Sequence, residues 1–380
     1  MKINYSILIT GDLVLNKEYP SSNIDENIVS LFRESDLNII NLEAPVTNSN
    51  SKIDKTGPNI KSHEESTKNV LNNLNVDIVT LANNHILDYD EQGVGDTLSF
   101  CKTNNIKTVG AGMNLEEASR TLYLDTREGK IAIVNFAENE WTSATENSAG
   151  SNPMDLIDNT RQIVAAKNNA DFVLVIIHGG NEYNHYPSPR MVKQYRYYAE
   201  CGADAVIAHH THCVGGYEEY SGVPIFYSLG NFLFTTIENK LDSWYSGLVL
   251  NLKVRKGTKI EFEVIPVSQS KEEHNLSIMQ GKDKKEISDI IKEINKAISN
   301  DEQLKNEWMN FVSKVESGVI KRLTPMAGVD NRYVSSLLYR TGVYKWFLNR
   351  KYLKETLNRV RCEAHNDVVR TVFEKLINRK

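Results

Sequence analysis

Short β-branched and apolar runs alternate with stretches of helical spacing from the N-terminus to about residue 270. The runs at 6–10, 37–41, 76–81, 131–136, 172–177, 203–208 and 223–228 predict strands. Several are continuously hydrophobic, as strands covered on both faces must be. Residues 247–254 and 259–266 predict a closing hairpin turning at Lys256-Gly257, while 64–74 and 97–104 predict helices between the early strands. Strands alternating with helices predict a layered α/β domain.

The pattern changes after Val267. A polar stretch leads into Ile287, Ile290, Ile291, Ile294 and Ile298 at helical intervals, then a helix with Trp308, Phe311, Val312 and Val315 on one face. Val368, Val369, Val372, Phe373 and Leu376 form a further stripe. This divides the chain into a domain at 1–270 and a helical C-terminal region at 271–380.

With 40% hydrophobic and 24% charged residues over 380 positions, the chain can bury a substantial core. No apolar run approaches the ~18 residues of a membrane span, and no signal peptide is evident, which predicts a cytoplasmic protein or one whose membrane anchor has been removed. Cys101, Cys201, Cys213 and Cys362 are scattered and read as reduced thiols. Charge is uneven: residues 320–380 carry 14 Lys/Arg against 5 Asp/Glu, so a basic tail follows an acidic body. Such a tail is a solvated helical face or a contact for a membrane surface or polymer synthase. No nucleic-acid partner is expected.

The informative polar residues cluster where predicted strands end. Asp12 follows the first, Glu43 the second, and Asn84 and His85 the third, with Asp88 beyond. His178 ends the 172–177 run, and His209, His210 and His212 follow 203–208. Strand carboxyl ends in open α/β sheets open onto a shared crevice. Singly, each residue has an ordinary explanation: a turn for Gly11-Asp12, a cap for Asn83-Asn84, a core histidine for His178. Carboxylates, imidazoles and an amide converging together read as a site for one or two divalent ions, Mn, Fe or Zn.

The order of motifs resembles the bacterial capsule-synthesis (CapA, or poly-γ-glutamate capsule) family, a branch of the calcineurin-like metallophosphatases. The matching segments are ITGDLVL (9–15), NLEAPVT (41–47), LANNHILDYD (81–90), VGAG (109–112), HGGNEY (178–183), AHHTHCVGG (208–216) and YSLGNF (227–232). The resemblance implies a four-layer αββα sandwich, with Asp12, Glu43, Asn84, His178, His210 and His212 as metal ligands and Glu43 bridging. It implies His85 beside the leaving group, with Asp88 orienting it or capping a helix. Asn231 would touch substrate or hold its loop, and His209, Glu182 and Arg190 are further substrate-binding candidates, with Arg196 a second arginine. Two departures stand out: Val14 replaces the imidazole of the superfamily's Asp-x-His, and Glu43 replaces a bridging Asp.

These residues predict a metal-dependent hydrolase cleaving a phosphoester, with a phosphoester or anionic polymer as substrate. The alternatives are a γ-glutamyl amide hydrolase and a non-enzymatic, metal-stabilised accessory subunit of a polymer synthase.

Overall fold

The computed structural model describes residues 4–55, 57–235, 241–323, 329, 331–350, 352, 353, 356 and 377. In chain order it runs β1 (Tyr5–Val14), α1 (Glu26–Glu34), β2 (Leu37–Leu42), α2 (Glu64–Asn73), β3 (Ile78–Thr80), α3 (Asp90–Thr103), β4 (Lys107–Val109), β5 (Ala111–Gly112) and α4 (Leu115–Ala118). Next come β6 (Leu122–Thr126), β7 (Gly129–Ala137), β8 (Gly150–Ser151), α5 (Leu156–Asn169), β9 (Phe172–His178), α6 (Pro189–Glu200) and β10 (Ala205–His209). Then follow β11 (Tyr217–Tyr220), β12 (Val223–Phe226), β13 (Asn231–Phe234), β14 (Ser246–Val254), β15 (Glu261–Gln269), β16 (Leu276–Ile278) and α7 (Gly281–Ile298).

One sheet has the order β16-β15-β14-β1-β2-β3-β4, with β13 also pairing β1; the other is β11-β12-β10-β9-β7-β6. Successive side chains of a strand point to opposite faces. In β1, Ile7 and Ile9 pack between the sheets with Ile131, Leu174 and Ile207. Leu8 faces outward onto Ile28, Phe32 and Val70 of α1 and α2. In the second sheet, Val173 and Val175 face Ile163, Met191 and Tyr195 of α5 and α6. The result is the αββα sandwich that the motifs implied.

The β14–β15 hairpin forms as predicted, with Lys253 opposite Glu261. The first strand, predicted to stop at residue 10, instead runs to Val14, so Asp12 lies inside it. Past Thr10, β1 leaves β14 and continues against β13, while its pairing with β2 shifts register between Ile9 and Asp12. Gly11 permits this, because a Cβ there would lie 2.0 Å from the Gly230 carbonyl oxygen. The third helix starts seven residues before its predicted position, at Asp90. The strands β4, β5, β6, β8, β11, β13 and β16 were not predicted.

The chain divides into two compact units, Met1–Trp308 and Met309–Lys380. The change of sequence character near 270 coincides with the end of β15, and α7 buries Ile294 and Ile298 within the first unit. Beyond it lie α8 (Asp301–Leu323), α9 (Arg332–Arg340) and α10 (Tyr344–Phe347). On α8, Phe311 and Val312 are half-buried and Val315 is exposed. The Val368–Leu376 stripe lies outside the described residues. Among the described residues, no helix is long and apolar enough to cross a membrane.

Candidate metal centre

The predicted ligands converge from five strands of both sheets, Asp12 from inside β1 and the others from the ends of β2, β3, β9 and β10 or just beyond them. Glu43, His178 and His210 offer ligand atoms within 4.8 Å of one another, as do Asp12, Glu43 and His212. Glu43 belongs to both groups, its Oε1 lying 3.6 Å from His178 Nε2 and 3.6 Å from His212 Nε2. Asn84 Oδ1 is 3.0 Å from His178 Nε2. His210 Nδ1 is 3.1 Å from that same nitrogen, about the spacing of two nitrogens sharing an ion at ~2.1 Å. His210 and His212 both adopt positive φ, at 92° and 55°, a conformation that costs energy in residues with side chains. The strained turn aims both imidazoles into the cluster.

The electrostatics fit a cation. Both Glu43 carboxylate oxygens are buried with no hydrogen-bond partner, an arrangement that is costly unless a positive charge sits between them and the imidazoles. Burial, then repulsion from Asp12, pushes the Glu43 carboxyl well above its usual range. Burial also opposes charge on Asp12, but the His212 hydrogen bond and the surrounding imidazoles outweigh it and hold the carboxyl low. Burial keeps His178 well below its usual value and takes His210 down to about 3, leaving both neutral, as metal ligands must be. His212 is raised to about 9: burial opposes its charge, but Glu43 and Asp12 prevail.

These shifts predict how the metal-free protein responds to pH. Below about 6.5 the unfolded chain protonates histidines that the folded chain keeps neutral, so stability falls on acidification. His212 and Glu43 act oppositely: each contributes stability that is lost as pH rises, that of His212 being complete below about 6.5 and lost through about 9. In chelator, the urea midpoint is expected to peak near pH ~6.5. Saturating metal should move the peak upward, because ligands bind deprotonated. A midpoint flat from pH 5 to 8 in chelator would contradict these assignments.

The supporting residues also become clear. Asn231, opposite Asp12 in the β1–β13 register, accepts from His212 Nδ1 at 3.0 Å and donates to the Trp244 carbonyl. It therefore holds His212 with Nε2 facing Glu43. Asp88 is no helix cap: its Oδ2 accepts from His85 Nδ1 at 2.6 Å and from the Ile60 backbone at 2.8 Å. Val14 lies in an apolar cluster with Ala44, Phe234, Trp244 and Tyr245.

Other candidates are already engaged. The His209 Nε2 hydrogen goes to the Thr10 carbonyl, linking the sheets. Arg190 pairs with Glu138 and Gln194, and Arg196 binds both oxygens of Glu218 at 2.8 Å. Glu182 is exposed, and its charge acts on Glu43 and on Glu140, which lies 3.8 Å from His210 Nε2.

Two contributors were missed. Asn41 donates to Asp12 Oδ1 at 2.6 Å and lies 3.3 Å from His178 Nδ1; its place at the head of NLEAPVT was the available signal. Lys55, in a polar loop without any motif, is nearly buried. Its Nζ pairs with Asp88 Oδ1, which has no other partner, and lies 3.2 Å from both Asn84 O and His85 Nδ1.

Residues 6–236 match the family described as "Bacterial capsule synthesis protein PGA_cap". The chain belongs to this family. It is 31% identical over 273 residues to "PGA biosynthesis protein CapA" of Bacillus subtilis, covering 69% of this chain and 71% of that protein. Identity to "Capsule biosynthesis protein CapA" of Bacillus anthracis is 30% over 244 residues, covering 60% and 59% respectively. Among solved structures, the fold is similar to a novel phosphatase from Mycoplasma pneumoniae, with TM-score 0.46 and 13% identity, over 70% of this chain and 95% of that one.

Proposed function

We propose that the protein is a divalent-metal-dependent phosphoesterase acting in the synthesis of a capsule or surface polymer of the poly-γ-glutamate type. The observation that carries this reading is Glu43, a buried carboxylate without hydrogen-bond partners that is shared by two ligand groups. Asp12, Glu43 and His212 would hold one ion; Glu43, Asn84, His178 and His210 would hold the other. Bound there, Mn, Fe or Zn would polarise a phosphoryl oxygen and activate water. The protein's own part is positional and protonic. Asn41 and Asn231 fix Asp12 and His212, and the sheet ends hold the substrate against them. His85, with Nδ1 anchored on Asp88, is left to exchange a proton at Nε2 with the departing oxygen.

One observation favours a second reading. Both arginines available to bind phosphate are tied to carboxylates, and Glu140 and Glu182 add negative charge nearby. An accessory subunit of a polymer synthase, stabilised by metal, would need no phosphate pocket.

The test is an assay of metal-loaded wild type and His85→Ala on aryl phosphomonoesters, aryl phosphodiesters and γ-linked glutamate oligomers. Phosphoester cleavage is expected, with His85→Ala losing about 10²–10⁴ in kcat while retaining its metal. Cleavage of the oligomers alone would replace this reading with amide hydrolysis. Inactivity on every substrate would favour the accessory role.

A further inference from the structure

The second compact unit carries a surface of distinctive composition. Residues 331–350 contain Arg332, Arg340, Lys345 and Arg350 and no Asp or Glu. The same stretch holds Tyr333, Tyr339, Tyr344, Trp346 and Phe347. Asn331 caps α9 by accepting from the Tyr333 and Val334 backbone, at 3.0 and 3.2 Å. Tyr339 and Tyr344 stack with centroids 4.6 Å apart, joining α9 to α10. The large apolar side chains left over face water: Tyr333 is 78% exposed, Leu337 61%, Val334 45% and Trp346 81%. Tyr333 and Leu337 lie one helical turn apart, so they project from one side of α9.

We propose that this surface docks onto an anionic lipid bilayer, lying in the headgroup region without spanning it. Interfacial helices combine Trp, Tyr and Leu with Lys and Arg in this way, the rings entering the boundary between headgroups and acyl chains while the cations meet lipid phosphates. A soluble polyanion would satisfy the four cations but leave Trp346, Leu337 and Tyr333 in water. A membrane surface takes both sets at once, and the unbroken absence of acidic residues removes repulsion from it. Neither α9, at nine residues, nor α10, at four, has the length to cross the hydrocarbon core.

The experiment is co-sedimentation of the full chain with phosphatidylcholine vesicles and with vesicles of equal parts phosphatidylcholine and phosphatidylglycerol. Soluble poly-γ-glutamate serves as a competing probe. Binding is expected only to the anionic vesicles, and it should weaken as salt shortens the screening length. Trp346→Ser with Leu337→Ser should reduce it at least about tenfold, as should Arg340→Glu with Lys345→Glu. The circular dichroism of both variants should match wild type, since the substituted side chains are exposed. Vesicle binding that survives both pairs of substitutions would overturn the proposal. So would an absence of vesicle binding, or binding to the soluble polymer that is indifferent to Trp346 and Leu337.

Discussion

Glu43→Gln is expected to weaken divalent-metal binding at least about a hundred-fold, while leaving the metal-free protein as stable as wild type or more so. Loss of a supporting residue around a metal site typically costs 10–100-fold in affinity, and in the proposed site Glu43 would itself be a ligand. It is the one side chain shared by both ligand groups, so a neutral amide there removes the common negative charge from each. Without metal, burial and Asp12 oppose ionisation of this carboxyl and neither oxygen is hydrogen-bonded, so an uncharged amide of the same shape relieves that cost. Few substitutions in a protein interior carry opposite signs in this way. Titration calorimetry with Mn and Zn gives the affinity, and thermal unfolding gives the rest. Wild type at a hundred times Kd should gain about 2.7 kcal/mol from the ion, and Glu43→Gln should gain almost nothing. A variant that keeps wild-type affinity would refute the bridging role, and one that loses stability equally with and without metal would make Glu43 a packing residue.

Lys55→Met is expected to cost about 3–5 kcal/mol of folding stability, far more than replacement of a loop lysine usually does. The side chains of Lys55 and Asp88 are 3% and 0% exposed, so their pairing is shielded from water. Removing the ammonium leaves Asp88 buried with only His85 and the Ile60 backbone to meet its charge. The double variant Lys55→Met, Asp88→Asn should recover much of the loss, because the neutral amide still accepts from the Ile60 backbone. Urea unfolding of the two single variants and the double closes the cycle. A cost below about 1 kcal/mol for Lys55→Met would place the pair in solvent-like surroundings.

The layered architecture could be read from the sequence because long strands such as β9 are buried on both faces and stand out as apolar runs. The short strands β11 and β13 could not. β11 and β13 have four residues each, and β13 exists only through its pairing with β1. The same dependence misplaced the end of β1, whose last residues hold their strand form against a partner more than two hundred positions away.

The candidate site divides along a similar line. Local order along the chain identified Asp12, Glu43, Asn84, His178, His210 and His212, since chemistry gathered at strand ends is a pattern the sequence itself displays. It also identified His85 and the apolar substitution at Val14. Tertiary structure alone decided that Asn231 supports His212, that Asp88 faces His85 and Lys55, and that His209, Arg190 and Arg196 are engaged elsewhere. The physical reason is that a side chain's role is set by what its polar atoms meet, often across two sheets. A hydrogen bond such as His209 to Thr10 joins positions 199 residues apart. The sequence by itself determined which groups could form the site; only the register of one strand against another determined which of them face it.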